Sequence, residues 1–416
     1  MSRGVALGPS VTADPTGMGR GGGGRPGGGR LGGSARLRGE AAYRPLPVLV
    51  GLAVIAAIFQ AANPRFLSPA NLTNLTLQIA TIVTVSLGVV PVLLLGEIDL
   101  SVGAVSGLCA AITAVLNVKH GVPGVVAMGA GIAAGAGIGA LHGFWLARFK
   151  VPSFVVTLAG LLAWQGAILS VLGATGTVNL TDPVITGLAT TFYAPAVAWA
   201  LAVVVVAARI VLVVQRRRRR VAAGLPCRSP ASVGRALAAT AAAVFGAAAV
   251  FGADRGLPLA VILSVGIVAA VDLLVTRTRF GRHILAIGGN AEAARRVGIP
   301  LDRTRIATFA LASTLAAAGG ILGAARLLAV NQSSGSGDLL LNAIAAAVIG
   351  GTSLFGGRGS AWSALLGALV IGSIANGMDL LAVSSSVKFM VTGGVLLVAA
   401  TVDAASRQQR LRVGRP

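Results

Sequence analysis

The sequence predicts an all-α fold, a polytopic bundle of about ten to twelve helices that cross a membrane. Of its residues 55% are apolar and only 11% charged, whereas soluble domains carry about a quarter charged residues. Apolar runs of roughly 17–25 residues recur, each long enough at ~1.5 Å per residue to cross a ~30 Å hydrocarbon layer. Most positive charge lies in the segments between and outside those runs.

Taken in order, residues 1–44 hold the tract GRGGGGRPGGGRLGG, too poor in apolar side chains to offset the entropy of ordering, and are expected to be a disordered tail. The tail lacks the apolar core and small-residue cleavage site of a secretory signal, so the first run is expected to stay as an anchor. Spans are expected at 46–62, 76–95, 101–117, 122–147, 153–173, 196–214, 238–253, 257–275, 306–328, 339–356, 361–382 and 388–404. They make up a membrane domain over 45–404, with a basic loop at 215–237, a polar loop at 276–305 and a basic tail at 405–416. The Gly-rich segments Glu97 to Gly103 and Gly350 to Gly359 could each be a broken or re-entrant helix.

The formal charge of +22 collects at Arg3 to Arg44, Arg216 to Arg235, Arg277 to Arg305 and Arg407 to Arg415. The positive-inside rule assigns all four to the cytoplasm, and twelve crossings from a cytoplasmic N-terminus return each of them there, the C-terminus included. A nucleic-acid partner is not expected, because these segments offer arginine without a folded base-reading domain. Cys109 lies in an apolar run and Cys227 in a basic loop, so no disulfide or metal site follows. His120, His142 and His283 lack ligand spacing and read as structural.

Gly131, Gly135, Gly139 and Gly143 recur every fourth residue and so line one helix face, which lets another helix approach closely. Acids are sparse, yet Glu97 and Asp99 stand together in LLLGEIDLSVGAVSG. An acid at mid-bilayer costs ~2.5–3.5 kcal/mol and is a functional candidate. The alternative is an interfacial turn in which Asp99 or Ser101 caps the next helix. Gly351 to Gly357 superficially matches a phosphate-binding loop, but Gly357 stands where the lysine must be. No segment supplies GxxxxGK[ST], so this chain is not expected to hydrolyse ATP.

The stretch TRTRFGRHILAIGGNAEAARRVGIPLDRTRI, 276–306, is long for a simple connection. It contains an island of helix formers, Glu292 to Val297, with Asn290 placed to cap it and Gly298 to end it in a left-handed conformation. Glu292 lies favourably in the macrodipole. The small faces of Ala291, Ala293 and Ala294 suit a helix lying in a partner's groove.

These residues resemble the permease subunits of bacterial ATP-binding-cassette importers for sugars. Glu292, Ala293, Ala294 and Gly298 match the EAA-xxx-G motif by which such permeases dock their ATPase subunits. FGRHILAIGGNAEAARRVGI, GEIDLSVG, VPSFVVTLAG and IAAAVIGGTSLFGGRGS are similar to the ribose, xylose and galactose branch, in the same order, and the resemblance covers about residues 45–404. Within it, Glu97, VPSFVVTLAGLLAWQG and the basic loop leading to LPCRSPAS resemble the xylose type.

The resemblance implies a transport permease rather than an enzyme, sitting as a homodimer in the bacterial inner membrane. An ATPase subunit carrying ATP-Mg would bind at the coupling residues Asn290, Glu292, Ala293, Ala294 and Gly298, and an extracytoplasmic sugar-binding protein on the other side. This chain itself is expected to carry no cofactor. D-xylose is the expected substrate, with ribose, arabinose and galactose as alternatives. Glu97, Asp99, Ser101, Gln165 and Asn179 are candidates for the translocation pathway, with Thr181 and Asp182 in the same polar loop as Asn179. An ion-coupled secondary transporter is the rival reading, with Glu97, Asp99 and Asp272 as its possible carboxylates.

Overall fold

Each of the twelve apolar runs folds as one helix in the computed structural model, which describes residues 46–227 and 229–412. The expected disordered tail, 1–44, and the last four residues lie outside the described residues. The helices are α1 Leu46–Ala62, α2 Pro69–Leu95, α3 Val102–Val118, α4 Gly124–Phe149 and α5 Ser153–Leu172. A short helix α6, Pro183–Thr190, precedes α7 Pro195–Ala222, α8 Pro230–Gly252 and α9 Leu259–Arg277. Then come α10 Arg279–Gly289, α11 Ala291–Arg296, α12 Leu301–Leu327, α13 Gly337–Ile349, α14 Ala361–Leu380 and α15 Ser385–Arg412. Among the described residues nine helices are long and apolar enough to cross a membrane, and α1, α3 and α13 are shorter apolar helices.

Local chemistry sets the ends. Ser68 caps α2, accepting from Asn71 N at 3.3 Å, with Pro69 at the first helical position. Gly96 ends α2 in the left-handed region at φ 83°, where a side chain would be strained. Asp182 caps α6 and Ser229 caps α8, each followed by proline, whose fixed φ suits a first helical position.

The core gathers around α2 and α12, α12 packing on α4, α2 and α3. The glycine stripe of α4 is what permits this. A Cβ on Gly135 would lie 2.7 Å from Ser313 O, one on Gly139 2.2 Å from Phe309 O, and one on Gly143 2.5 Å from Ile306 Cα. The backbones of α4 and α12 thus touch where side chains would hold them apart. Gly137, off the stripe, faces open space.

Two small antiparallel ladders tie the loops at one end. β1 (Thr177–Asn179) pairs with β4 (Ala329–Asn331), and β2 (Phe192–Tyr193) with β3 (Leu257–Pro258). The second ladder closes the base of the α7–α8 hairpin, whose helices pack mainly on each other. The other end, the basic end, is where α4 finishes beside Arg148 and Lys150 and where α9 to α12 connect.

Both Gly-rich segments interrupt helices. Between α2 and α3 the chain is non-helical from Gly96 to Ser101, and α13 stops at Ile349 rather than running to 356, because Gly351 turns left-handed at φ 99°. Residues before α13 cross the start of α3 backbone to backbone. A Cβ on Gly107 would fall 1.9 Å from Ser334 O, and one on Gly335 would fall 2.1 Å from Gly103 O.

Three expected loops are largely helical. The basic loop 215–237 shrinks to 223–229, because α7 runs on through Arg216 to Arg220, where arginines are good helix formers and favour the negative end of the macrodipole. The tail from 405 continues α15 to Arg412. The loop 276–305 contains α10 and α11, and α12 begins within it at Leu301.

Candidate functional site: the junction at the basic end

The helix α11 is short, and its ends are built as the residues require. Asn290 Oδ1 accepts from Ala293 N at 2.9 Å, closing the first turn. At the other end Gly298 takes φ 80°, its N–H donates to Arg295 O at 3.0 Å, and Ile299 N–H donates to Ala294 O at 3.1 Å. This paired pattern is the Schellman closure, and it needs a residue at ease in the left-handed region. Glu292 and Arg296 pair across one turn at 3.4 Å, both well exposed, so the pair adds little stability. Glu292, Ala293 and Val297 face outward, but Ala294 is 2% exposed and packs into the core. Of the three alanines expected to face a partner, Ala294 therefore does not, because one side of α11 must be buried to hold so short a helix in place.

Behind α11 lies α10, capped by Thr278, whose Oγ1 accepts from Gly281 N at 3.1 Å. Its apolar side, Phe280, Ile284 and Ile287, faces the core. At its end three glycine backbones converge on the end of α2. A Cβ on Gly288 would lie 1.8 Å from Leu94 O, and the N–H of Gly357 donates to that same Leu94 O at 2.9 Å. Gly96 and Gly356 pack beside them. The end of α10, joined to α11 at Asn290, therefore meets α2 backbone to backbone, with no flexible side chain between.

The break after α2 is held by side chains. Glu97 pairs with Arg305 of α12 at 3.1 Å, both side chains mostly covered, while Arg305 Nε lacks a partner among the described residues. Ile98 N donates to Ser153 Oγ at 3.1 Å, and Thr157 Oγ1 donates to Ile98 O at 3.3 Å. Asp99, 2% exposed, accepts on Oδ1 from Ser101 N at 2.8 Å and Ser101 Oγ at 2.6 Å. Ser101 Oγ meets His142 Nδ1 at 3.3 Å, and Trp164 Nε1 donates to His142 Nε2 at 3.0 Å. Since indole can only donate, His142 Nε2 accepts, which leaves Nδ1 to donate to Ser101 and Ser101 to donate to Asp99. Asp99 Oδ2 has no partner among the described residues. The network sits seven residues, ~10 Å, inside the end of α4. It is an enclosed break, not a solvated turn.

The four sequence segments GEIDLSVG, VPSFVVTLAG, HILAIGGN and GGTSLFGGRGS, dispersed over some 265 residues, thus meet at one junction. The sequence matches the family described as "Branched-chain amino acid transport system / permease component" over residues 71–400. The chain belongs to this permease family. It is 38% identical over 371 residues to the xylose transport system permease protein XylH of Escherichia coli (strain K12), covering 88% of this permease and 93% of that relative. It is 36% identical over 364 residues to XylH of Haemophilus influenzae, covering 87% and 96%. The ribose import permease protein RbsC of Bacillus subtilis (strain 168) is 31% identical over 368 residues, covering 88% and 95%. No solved structure matches the permease.

The remaining expected residues fall elsewhere. Gln165 is exposed on the outer side of α5 between Leu162 and Leu169, away from the network that its neighbour Trp164 joins. Asn179 ends β1 opposite Ala329, and Thr181 is exposed beside it. Asp182 is structural: Oδ1 accepts from Val184 N at 2.8 Å and Ile185 N at 3.2 Å, and Oδ2 from Asn117 Nδ2 at 3.0 Å, joining α6 to the end of α3. Asp272 is half-buried near the basic end of α9. Arg305, His142 and Gly288 belong to the junction without having been singled out as site residues, since each acts through partners far away in sequence.

Proposed function

We propose that this permease is the transmembrane subunit of an ATP-driven, binding-protein-dependent importer of D-xylose. The observation that supports it most directly is the exposed, doubly capped α11 fixed through Gly288 to Leu94 of α2. A six-residue helix has little stability of its own, so both caps and the buried Ala294 serve to present one small rigid face. The basic end is then cytoplasmic, as are both termini, and a separate ATPase subunit binding ATP-Mg takes α11 in a groove. Two copies of the permease form the pathway, and a sugar-binding protein docks at the opposite end. The names of the xylose permeases it is similar to support the choice of sugar.

In the mechanism, closure of the paired ATPase subunits pulls α11. Gly288 then moves against Leu94, Arg305 pulls on Glu97, and the break from Gly96 to Ser101 shifts relative to α4 and α5. Ser101, His142 and Trp164 hold the break in one arrangement until that pull is strong enough to change it. The enclosed Asp99, with one unpaired oxygen, is the part of this network with most to gain from rearranging.

The test is reconstitution in proteoliposomes with the ATPase and binding protein. Radiolabelled D-xylose should accumulate with ATP and not with an ion gradient alone, and D-ribose, L-arabinose and D-galactose should accumulate less. Uptake by the permease alone under a proton or sodium gradient would overturn the proposal in favour of a secondary transporter.

A further inference from the structure

We infer that the polar cavity at the end opposite α11 is a monosaccharide subsite, an inference that rests on the sugar-importer reading. α2 crosses the bundle almost wholly covered by protein, yet it places Asn71, Asn74 and Gln78 along one side, three and four residues apart. Asn74 is exposed and Asn71 and Gln78 are partly buried, so their amides are open to a ligand. Two of the three are only partly used. They line a cavity of about 660 Å³ with Thr190, Phe192, Arg255, Asn376 and Asp379 among its walls, within the ~300–1,000 Å³ typical of small-molecule sites.

The partners already in place show which groups remain for a ligand. Asn71 and Asn376 exchange hydrogen bonds, Nδ2 to Oδ1 at 2.8 Å and 3.2 Å, and form a fixed wall. Asp379 is paired with Lys388. Arg255 donates to Asn74 Oδ1 at 2.9 Å and lies over the Phe192 ring, 4.4 Å from its centroid. What remains is the Arg326 guanidinium, the Asn74 amide nitrogen, both ends of Gln78, and the Thr190 hydroxyl as an acceptor, since it already donates to Thr186 O. Amide, hydroxyl and guanidinium groups next to an aromatic ring, with no free carboxylate beside them, suit a polyhydroxylated ring. A zwitterion would need an uncommitted charge of each sign, and Asp379 is already occupied. Because the free groups are few, the subsite binds weakly, as a relay between binding protein and pathway requires.

Saturation-transfer NMR on the permease–ATPase complex in nanodiscs tests this, with D-xylose and L-leucine as probes. Wild type should transfer saturation to xylose and not to leucine. Gln78→Leu and Asn74→Leu should each weaken xylose binding about five- to tenfold, as expected for a lost hydrogen bond, while Thr240→Val on α8 should not. Gln78→Glu keeps the side chain's shape and should also weaken binding, and an unfolding temperature equal to wild type in each variant guards against a folding defect. Equal xylose saturation in wild type and both leucine variants, or saturation of leucine in place of xylose, would overturn the subsite. If xylose uptake remains intact in that case, the importer reading stands; if no sugar is imported by wild type, that reading falls and the subsite with it.

Discussion

If α11 works as a rigid lever, its closure at Gly298 should set how well force is transmitted. Gly298 has φ 80°, and a Cβ there would meet nothing within 4 Å, so substitution to alanine adds strain without a clash. That strain is about 1–2 kcal/mol, or roughly 5–30-fold in the ratio of closed to frayed helix end at 1.4 kcal/mol per factor of ten. Asparagine tolerates the left-handed region and should cost less. Proline cannot reach that φ and removes the N–H that donates to Arg295 O, so the closure is lost. Hydrogen exchange on peptides covering 290–300 reads the closure directly, through Val297 and Ile299, whose N–H groups donate to Ala293 O and Ala294 O. Protection and ATP-driven uptake should both fall in the order wild type, Gly298→Asn, Gly298→Ala, Gly298→Pro. Gly298→Pro with wild-type protection and uptake, at equal expression, would refute the lever.

Other perturbations test the structure around it. Glu97→Leu leaves Arg305 without its counter-charge in a mostly covered site and should cost about 1–3 kcal/mol; thermal unfolding should show the swap Glu97→Arg with Arg305→Glu recovering part of the loss, and equal loss in both would deny the pair a role. Gly139→Ala should lower the unfolding temperature, because its Cβ would lie 2.2 Å from Phe309 O. Gly137→Ala, facing open space, should raise it, since alanine favours helix by ~1 kcal/mol. Burial raises the Asp182 carboxyl's proton affinity, but the N–H groups of Ile185 and Val184, the Asn117 carboxamide and the N–H of Gly124 outweigh it and hold the group below the usual range. Its stabilisation is thus complete above the unfolded value of ~3.9 and lost as pH falls through the lower folded value. Asp182→Asn should flatten the acid limb of an unfolding-temperature profile, and an unchanged limb would show that the cap is not what acid breaks.

The spans were legible because hydropathy is local, and so was the α4 stripe, which needs only a period of four at Gly131 to Gly143. The Asn290 cap and the left-handed Gly298 were legible for the same reason. The helix α10 was readable in principle from Phe280, Ile284 and Ile287, spaced four and three apart, but Gly281, Arg282 and His283 between them masked the pattern. The meeting of Gly288 and Gly357 at Leu94 was not legible, since nothing in a run of glycine says which distant backbone it will touch. Nor was the burial of Ala294, which depends on how α11 sits against the core. The carboxamides Asn71, Asn74 and Gln78 carried a signal in their spacing, obscured because α2 begins at Pro69, earlier than the apolar run that marks it.

The hairpin of α7 and α8 also bears on how the chain could be rebuilt. Leu259 N–H donates to Thr191 O at 3.0 Å, and Tyr193 lies opposite Leu257, so the two ends of the hairpin already meet. An out-and-back pair adds an even number of crossings, and every helix after it keeps its direction. Excising 194–256 and joining the ends with a short turn would therefore leave α9 onward facing the same way. The hairpin is a module that can be lengthened, exchanged or fused to a reporter without reversing the rest of the chain.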